Sequence, residues 1–334
     1  MNGNLGVWLE FAACAGVIGI AGARLVRYGD ALAALSGMSR SWIGMILMAT
    51  VTSLPELVTG LSAVTVASNP DIAVGDALGS TVFNLALLAL AEPVLRTGGL
   101  YSAASRSHLF TAAAGVVMLG LVLLALGAVQ FAPGWAIGHV SLFSVVLMAV
   151  YGLAMAALYR IERRSMPERA PGAAGMSLRK ALGGYALAAM FIVVAGIWLP
   201  LVGVQLARLM GWSDSFVGTL FVALATSMPE LATTLAALRI GAVDLALGNI
   251  LGSNLFDLLI IAIDDVAYLK GPLFRDLSSA HVATGLIAAV MSSVVCVALL
   301  RPPRPRLSAA LSWAGLSLLG LYLLNVSAQY LHRP

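Results

Sequence analysis

The hexapeptide Thr-Ser-Leu-Pro-Glu-Leu at residues 52–57 recurs as Thr-Ser-Met-Pro-Glu-Leu at residues 226–231, which is 174 residues later. The match continues downstream, where Asp-Ile-Ala-Val-Gly-Asp-Ala-Leu-Gly-Ser at 71–80 resembles Asp-Leu-Ala-Leu-Gly-Asn-Ile-Leu-Gly-Ser at 244–253. Two unrelated apolar stretches would not share their Pro-Glu and Gly-Ser pairs at the same positions. The sequence therefore contains an internal repeat of about fifty residues.

The composition predicts a membrane protein. The chain has 334 residues, of which 60% are hydrophobic and only 10% are charged, and its mean hydropathy is +0.96. Soluble domains are about 25% charged, and a chain this apolar could not cover its own surface in water. These values exclude a soluble enzyme, a nucleic-acid-binding protein and a disordered chain. We therefore expect the chain to lie in the lipid bilayer and not to bind nucleic acid.

Apolar runs bounded by charges, Pro or Gly predict an all-α polytopic membrane protein with about ten transmembrane helices. The longest polar stretch, near residues 160–180, separates the helices into two groups of five. We expect a first unit at 1–160, a cytoplasmic linker at 161–180 and a second unit at 181–334. The predicted spans are 5–26, 40–66, 71–93, 107–128, 138–160, 181–205, 214–238, 243–265, 279–300 and 307–328.

The distribution of positive charge predicts the orientation. If the linker is cytoplasmic, fifteen of the nineteen Lys and Arg residues fall in cytoplasmic loops. Cytoplasmic loops of membrane proteins carry such an excess. Both termini are therefore expected outside. Because five spans separate each repeated motif from its copy, the two copies must cross the membrane in opposite directions. Inverted repeats of this kind place the binding site of secondary transporters near the bilayer midplane, between the halves.

Glu56 and Glu230 are the most informative single residues, because each lies in the middle of an apolar span. A carboxylate there costs about 2.5–3.5 kcal/mol or more, and no Lys or Arg lies near mid-depth in any predicted span. A bound cation or a proton is the remaining compensation. The alternative is that both are permanently protonated structural groups.

The neighbours of both glutamates supply further oxygen atoms. Two hydroxyl residues precede each Glu by three and four positions, so they can share its helix face. Pro55 and Pro229 lack an N–H group and free the carbonyls of Val51 and Ala225. Carboxylate, hydroxyl and carbonyl oxygens are ligands that suit Ca²⁺ or Na⁺. The hydroxyl residues are Thr52 and Ser53 in the first copy and Thr226 and Ser227 in the second.

A second polar stripe follows in each copy, with residues four apart on one helix face. It comprises Asp76, Ser80 and Asn84 in the first half and Asn249, Ser253 and Asp257 in the second.

Four further acidic residues lie near predicted helix ends. Asp71 and Asp244 precede their helices and are predicted to be N-caps. Asp264 and Asp265 lie near the outer end of the eighth span, either as an interfacial pair in water or as part of an outer vestibule.

The histidines show no metal-ligand spacing. They are His108, His139, His281 and His332.

The paired motifs resemble the α-repeats of the sodium/calcium exchangers, within the cation/calcium antiporter superfamily. The resemblance implies a bacterial-type antiporter in the cytoplasmic (inner) membrane that exchanges Na⁺ for Ca²⁺ by alternating access. The cations would be transported, and no cofactor is implied. The family's ligands carry over to Thr52, Ser53, Glu56, Ser80 and Asn84, and to Thr226, Ser227, Glu230, Ser253 and Asp257. Asp76 stands where the family usually has Asn, so it adds a carboxylate.

Three alternatives remain at this level. The first is an exchanger coupled to protons or K⁺, or one for another divalent cation, because clustered carboxylates also bind protons. The second is a cation channel that uses the same carboxylates, which the inverted repeats disfavour. The third is an intramembrane enzyme, disfavoured because no Ser/His or His/Asp arrangement is placed at mid-depth by the sequence.

Overall fold

A computed structural model describes residues 2–36, 49–94, 99–128, 135–164, 176–239, 241–303 and 311–331. The first half contains α1 (Asn2–Ser36), α2 (Ala49–Thr52), α3 (Leu54–Thr65), α4 (Pro70–Ala91), α5 (Ser107–Ala128), a hairpin of β1 (Ala136–Ile137) and β2 (Val140–Ser141), and α6 (Leu142–Arg164). The second half contains α7 (Leu178–Met210), α8 (Asp214–Thr226), α9 (Met228–Arg239), α10 (Val243–Ala267), α11 (Ala280–Leu300) and α12 (Trp313–Leu331). Short 3₁₀ turns lie at Glu92–Val94 and Leu273–Asp276, and α8 contains a π-helical segment at Val217–Val222.

The predicted fold class is confirmed. Within the described ranges, eight helices are long and apolar enough to cross a membrane, and the bent pair α8–α9 makes a ninth. The second predicted span, 40–66, corresponds to the short helices α2 and α3, while its first residues, 40–48, lie outside the described ranges. Helix α6 runs on to Arg164 and α7 begins at Leu178, so both extend into the predicted linker. Residues 165–175 of that linker lie outside the described ranges, and the division into units remains a prediction.

Helices α4 and α10 form the centre of the molecule. They are 94% and 83% buried over their apolar windows, whereas the other six single-helix spans are only 22–44% buried. Corresponding helices of the two halves pack against each other, as α1 does on α7, α4 on α10 and α5 on α11. The less buried helices expose large apolar side chains such as Leu153, Val194 and Leu316. These outward faces are suited to lipid.

Each repeat contains a broken helix at the repeated hexapeptide. Ser53 separates α2 from α3, and Ser227 separates α8 from α9, where the two parts meet at a bend of 46°. A Pro two residues after each Ser removes one backbone donor at the break. The breaks place Glu56 and Glu230 in the first turn of the second part.

Close packing of α4 on α8 depends on two glycines. A Cβ at Gly75 would lie 3.0 Å from the backbone nitrogen of Thr219, and one at Gly79 would overlap the carbonyl oxygen of Thr219. Only hydrogen at these positions lets the two backbones approach this closely. Thr219 lies in the π-helical segment of α8. The glycines therefore hold the centre of one repeat directly against the broken helix of the other.

The prediction that Asp71 and Asp244 cap their own helices is wrong. Both lie inside the first turn of their helices, where Asn69 and Ala242 occupy the N-cap positions. Asp71 Oδ1 accepts a hydrogen bond from the backbone N–H of Ser278 at 2.7 Å and lies 2.8 Å from His281 Nε2.

The same arrangement recurs in the second copy. Asp244 Oδ1 accepts from the N–H of Ser105 at 2.7 Å and lies 3.0 Å from His108 Nε2. Each Asp therefore stabilises the start of a helix in the opposite half, where a negative charge is favourable. The two histidines are part of the repeat, a relation that their spacing along the chain did not show.

A second symmetric pair of carboxylates holds two further helix starts. Glu92 accepts hydrogen bonds from the backbone N–H and the hydroxyl of Ser312, at 2.6 and 2.7 Å, just before α12. Asp265 Oδ2 accepts from the Ser141 N–H at 2.7 Å and the Ser144 hydroxyl at 2.6 Å, at the start of α6. Its other oxygen accepts from the N–H of Leu273 at 2.6 Å. Asp265 is fully buried, so the expectation that it faces water is wrong.

Candidate cation site between the two repeats

The predicted site residues meet where the two helix breaks face the middle of α4 and α10. Every one of them is at most 1% exposed. They are Thr52, Ser53, Glu56, Asp76, Ser80, Asn84, Thr226, Ser227, Glu230, Ser253 and Asp257. The structure therefore brings together, inside the protein, polar groups from both halves of the sequence.

The two glutamates are joined across the repeats by serine residues. The Ser53 hydroxyl donates to Glu230 Oε1 at 3.1 Å, and the Ser227 hydroxyl donates to Glu56 Oε1 at 3.1 Å. Each helix break thus supplies the hydrogen bond to the carboxylate of the other break. This exchange brings Glu56 and Glu230 to one centre rather than leaving them in separate sites.

The threonines make a second pair of contacts across the repeats. Thr226 Oγ1 donates to Asp76 Oδ1 at 2.8 Å. In the equivalent position Thr52 Oγ1 lies 3.3 Å from Asn249 Oδ1 and 3.2 Å from the Ser253 hydroxyl. The threonine of one repeat therefore contacts a carboxylate, Asp76, while the equivalent threonine of the other contacts an amide, Asn249. This difference gives the two ends of the site different charges.

Many oxygen atoms of the site are buried without a hydrogen-bond partner in the described ranges. Leaving buried polar atoms unsatisfied costs about 1–3 kcal/mol each, and more for charged groups. None of the Lys and Arg side chains that the structure describes is buried beside them. A bound cation or bound protons would supply the missing compensation. The unpartnered atoms are Glu56 Oε2, Asp76 Oδ2, Ser80 Oγ, Asn84 Oδ1, Glu230 Oε2 and both carboxylate oxygens of Asp257.

The carboxylate oxygens of the site are not gathered into a compact metal-binding cluster. Among the described residues, no three His, Cys, Asp or Glu side chains are close enough to hold a metal ion by themselves. A cation here would need the hydroxyl and amide oxygens as well, or a small inward movement of the carboxylates. Ca²⁺ accepts such mixed oxygen shells of six to eight ligands.

Sequence reasoning missed several polar residues around the site. Thr234 accepts a hydrogen bond from Asn249 Nδ2 at 3.4 Å, and Asn254 Nδ2 donates to the carbonyl of Thr81 at 3.3 Å. Thr59 and Thr233 are buried with unpartnered hydroxyls within the described structure. The last two lie 174 residues apart, so the offset of the repeat could have found them.

Two inverted helical repeats with a buried, oxygen-lined centre define a class of protein, the polytopic membrane exchangers of cations. The chain matches the sodium/calcium exchanger protein family over residues 6–160 and 180–331. It belongs to this family, which consists of transporters and not of enzymes.

Named relatives and a solved structure agree with this assignment. The chain is 29% identical to the inner membrane protein YrbG of Escherichia coli over 245 residues, which cover 71% of this chain and 72% of YrbG. It is 31% identical to the putative antiporter CaxA of Alkalimonas amylolytica over 245 residues, covering 71% of this chain and 73% of CaxA. The fold resembles that of the sodium-calcium exchanger NCX_Mj, with a TM-score of 0.61, 23% identity and 97% of both chains covered.

Proposed function

We propose that the protein is a secondary antiporter that exchanges Na⁺ for Ca²⁺ by alternating access at the site between the repeats. One observation carries this proposal. Glu56 and Glu230 are buried, each is hydrogen-bonded by a Ser of the opposite repeat, and each keeps one oxygen free. Two carboxylates balance the charge of one divalent ion or of two monovalent ions.

The remaining residues have distinct proposed roles. The hydroxyls of Thr52, Ser53, Thr226 and Ser227 orient the carboxylates and become ligands when a cation displaces their present bonds. Ser80, Asn84 and Ser253 supply neutral oxygens, and Asp257 adds a carboxylate whose two oxygens are free among the described residues. Because the contacts between Ser and Glu join the two repeats, a change in ion occupancy can alter how the repeats pack. That coupling is what alternating access requires.

The four carboxylates of the site favour one alternative, an exchanger coupled to protons or K⁺. Glu56, Asp76, Glu230 and Asp257 carry up to four negative charges, which exceed the charge of a single Ca²⁺. In a buried site the excess must be neutralised by protons or by further cations. Asp76 is the residue that raises the count, since the family usually has Asn there.

The proposal includes an orientation. With the stretch 161–180 in the cytoplasm, both termini lie outside and the proposed units are 1–160 and 181–334. Helix α4 then runs inward from Asp71 and α10 runs outward from Asp244. The inner membrane name of YrbG supports placing this protein in a bacterial cytoplasmic membrane.

The test is uptake of ⁴⁵Ca²⁺ into proteoliposomes under imposed Na⁺, K⁺ or H⁺ gradients. We expect uptake that saturates with Ca²⁺ and that is driven by internal Na⁺. Uptake driven only by a proton or K⁺ gradient would support the alternative. Uptake that proceeds without any counter-ion would show a channel and contradict antiport.

A further inference from the structure

The neighbouring residues Asp264 and Asp265 of α10 differ in their surroundings. Among the described residues, the carboxylate of Asp265 accepts hydrogen bonds at the start of α6 and at the start of the 3₁₀ turn Leu273–Asp276. Asp264 is also fully buried, but neither of its carboxylate oxygens has a hydrogen-bond partner in the parts of the chain that the structure describes. A buried carboxylate with no donor nearby cannot remain charged without a cation. Asp264 therefore requires an explanation that Asp265 does not.

Asp264 faces the same helices as the central site. Its carboxylate lies directly against Gly60 of α3, where a Cβ would come within 2.5 and 2.9 Å of the two oxygens. Gly60 is one helical turn from Glu56, and Asp264 is two turns from Asp257, or about 10 Å at 1.5 Å per residue. Asp264 is thus stacked on the central site along α3 and α10.

Asp76 supplies a second negative charge. It lies on α4, which packs against α10, one helical turn before Ser80 and toward the same side of the site as Asp264. Its Oδ2 is also without a hydrogen-bond partner among the described residues. One oxygen of Asp76 is used by Thr226 of the central site. Asp76 therefore connects the central site to Asp264.

The opposite half has no such arrangement. The repeat relates Asp264 to Ala91, Asp76 to Asn249, and Gly60 to Thr234. The extra acidic groups therefore lie on one side of the central site only. In the proposed orientation this side faces the exterior, because α4 begins there and α10 ends there.

We propose that Asp264 and Asp76 form a second cation station, on the outer side of the central site, which holds a divalent cation in transit. This inference rests on the proposed function and orientation. Two carboxylates match the charge of Ca²⁺ but leave most of its six to eight ligand positions to water, so the station binds weakly. Its effect is to concentrate external Ca²⁺ next to the central site.

The transport test uses Asp264→Asn in oriented vesicles. We expect the external Ca²⁺ concentration for half-maximal exchange to rise at least threefold, with little change when Ca²⁺ is varied on the inner side. Gly60→Ala keeps every charge but displaces the Asp264 carboxylate, and should shift the same parameter in the same direction. The matched control is Asp276→Asn, which removes an exposed carboxylate of the nearby 3₁₀ turn Leu273–Asp276 and should leave this parameter unchanged.

A binding test separates this inference from the proposed function. In purified protein carrying Glu56→Gln and Glu230→Gln, equilibrium binding of ⁴⁵Ca²⁺ should persist at low affinity and disappear when Asp264→Asn is added. Absence of wild-type exchange under every gradient would refute the proposed function. The binding measurement would still show whether Asp264 binds Ca²⁺. Unchanged external half-saturation in both Asp264→Asn and Gly60→Ala, or residual binding that Asp264→Asn leaves intact, would overturn the second station.

Discussion

Single residues give the site its asymmetry. Asp76 and Asn249 occupy equivalent positions, and so do Asn84 and Asp257, with carboxylate and amide exchanged. Each repeat therefore contributes one Asp at a different level of its helix. Asp76 is bonded by Thr226, whereas both oxygens of Asp257 lack partners in the described part of the chain. The two residues should have different roles.

Replacing these carboxylates should produce different defects. We expect Asp257→Asn to change which monovalent ion drives Ca²⁺ uptake, or its pH dependence, because it removes a charge from the central site. Asp76→Asn should raise the external Ca²⁺ concentration for half-maximal exchange about three- to tenfold, or up to about 1.4 kcal/mol, with less effect from inside. Flux assays in oriented vesicles measure both. Equal effects of Asp76→Asn on the two faces would contradict its outer position, and an unchanged ion preference and pH profile would contradict the role of Asp257.

At the scale of helices, the fold depends on contacts between halves at helix ends and crossings. Asp71 and Asp244 each hold the first turn of a helix in the other half. Gly75 and Gly79 allow α4 to lie against α8. These contacts position the broken helices around the site without contributing ligands.

Removing either helix-end carboxylate should destabilise the protein. We expect Asp71→Ala and Asp244→Ala each to cost about 1–2 kcal/mol, because a helix start loses its acceptor and its favourable charge. Thermal unfolding in detergent measures the change. Glu10→Gln is the control, since Glu10 is exposed and its contact with Trp198 is long, at 3.4 Å. Equal unfolding midpoints for Asp71→Ala, Asp244→Ala and Glu10→Gln would contradict the capping role.

Two helical glycines should respond differently to alanine. Gly79→Ala forces a Cβ into the Thr219 backbone and should cost about 1–3 kcal/mol while reducing transport. Gly120 of α5 has open space where a Cβ would lie, so Gly120→Ala should be neutral or slightly stabilising. Thermal unfolding and ⁴⁵Ca²⁺ uptake compare the two. Equal tolerance of both substitutions would show that α4 and α8 are not closely packed in the membrane.

Sequence patterns predicted the helices well and their partners poorly. The span predicted at 107–128 coincides with α5, because charges and Gly mark both of its ends. Helix α1 runs to Ser36, ten residues beyond the predicted end at 26, because the charge of Arg27 marks the end of the apolar run but does not end the helix. The acceptor roles of Asp71 and Asp244 were missed because periodicity shows which face of a helix is polar, and not which distant helix lies against that face.

At the scale of the whole molecule, the site exists only because the two repeats are interleaved. The central helices α4 and α10 come from different halves. Within the described ranges, the hydrogen bonds of Ser53 to Glu230 and of Ser227 to Glu56 join the two halves. The offset in the sequence predicted the repeat, and the odd number of spans predicted its inversion. The pairing of Ser with Glu across the repeats could not be predicted, because it depends on the depth at which the two breaks meet.

The proposed orientation can be measured directly. In a background without Cys14 and Cys296, a single Cys introduced at Gly3 should react with an impermeant thiol reagent added outside intact cells. A Cys at Ala170 should react only after the membrane is opened, because the excess of Lys and Arg holds the linker inside. Labelling of position 170 from the outside would reverse the assignment of both faces.

The most direct test of the account is Ca²⁺ exchange in Glu56→Gln and Glu230→Gln. Each change removes one of the two charges that balance a divalent ion, while an amide remains compatible with the Ser contact and is easier to bury in the membrane than a carboxylate. We predict folded protein with unfolding midpoints close to the wild type and no ⁴⁵Ca²⁺ uptake in either variant, with Glu10→Gln retaining full activity. Normal Ca²⁺ flux in either variant would contradict a cation site between the two repeats.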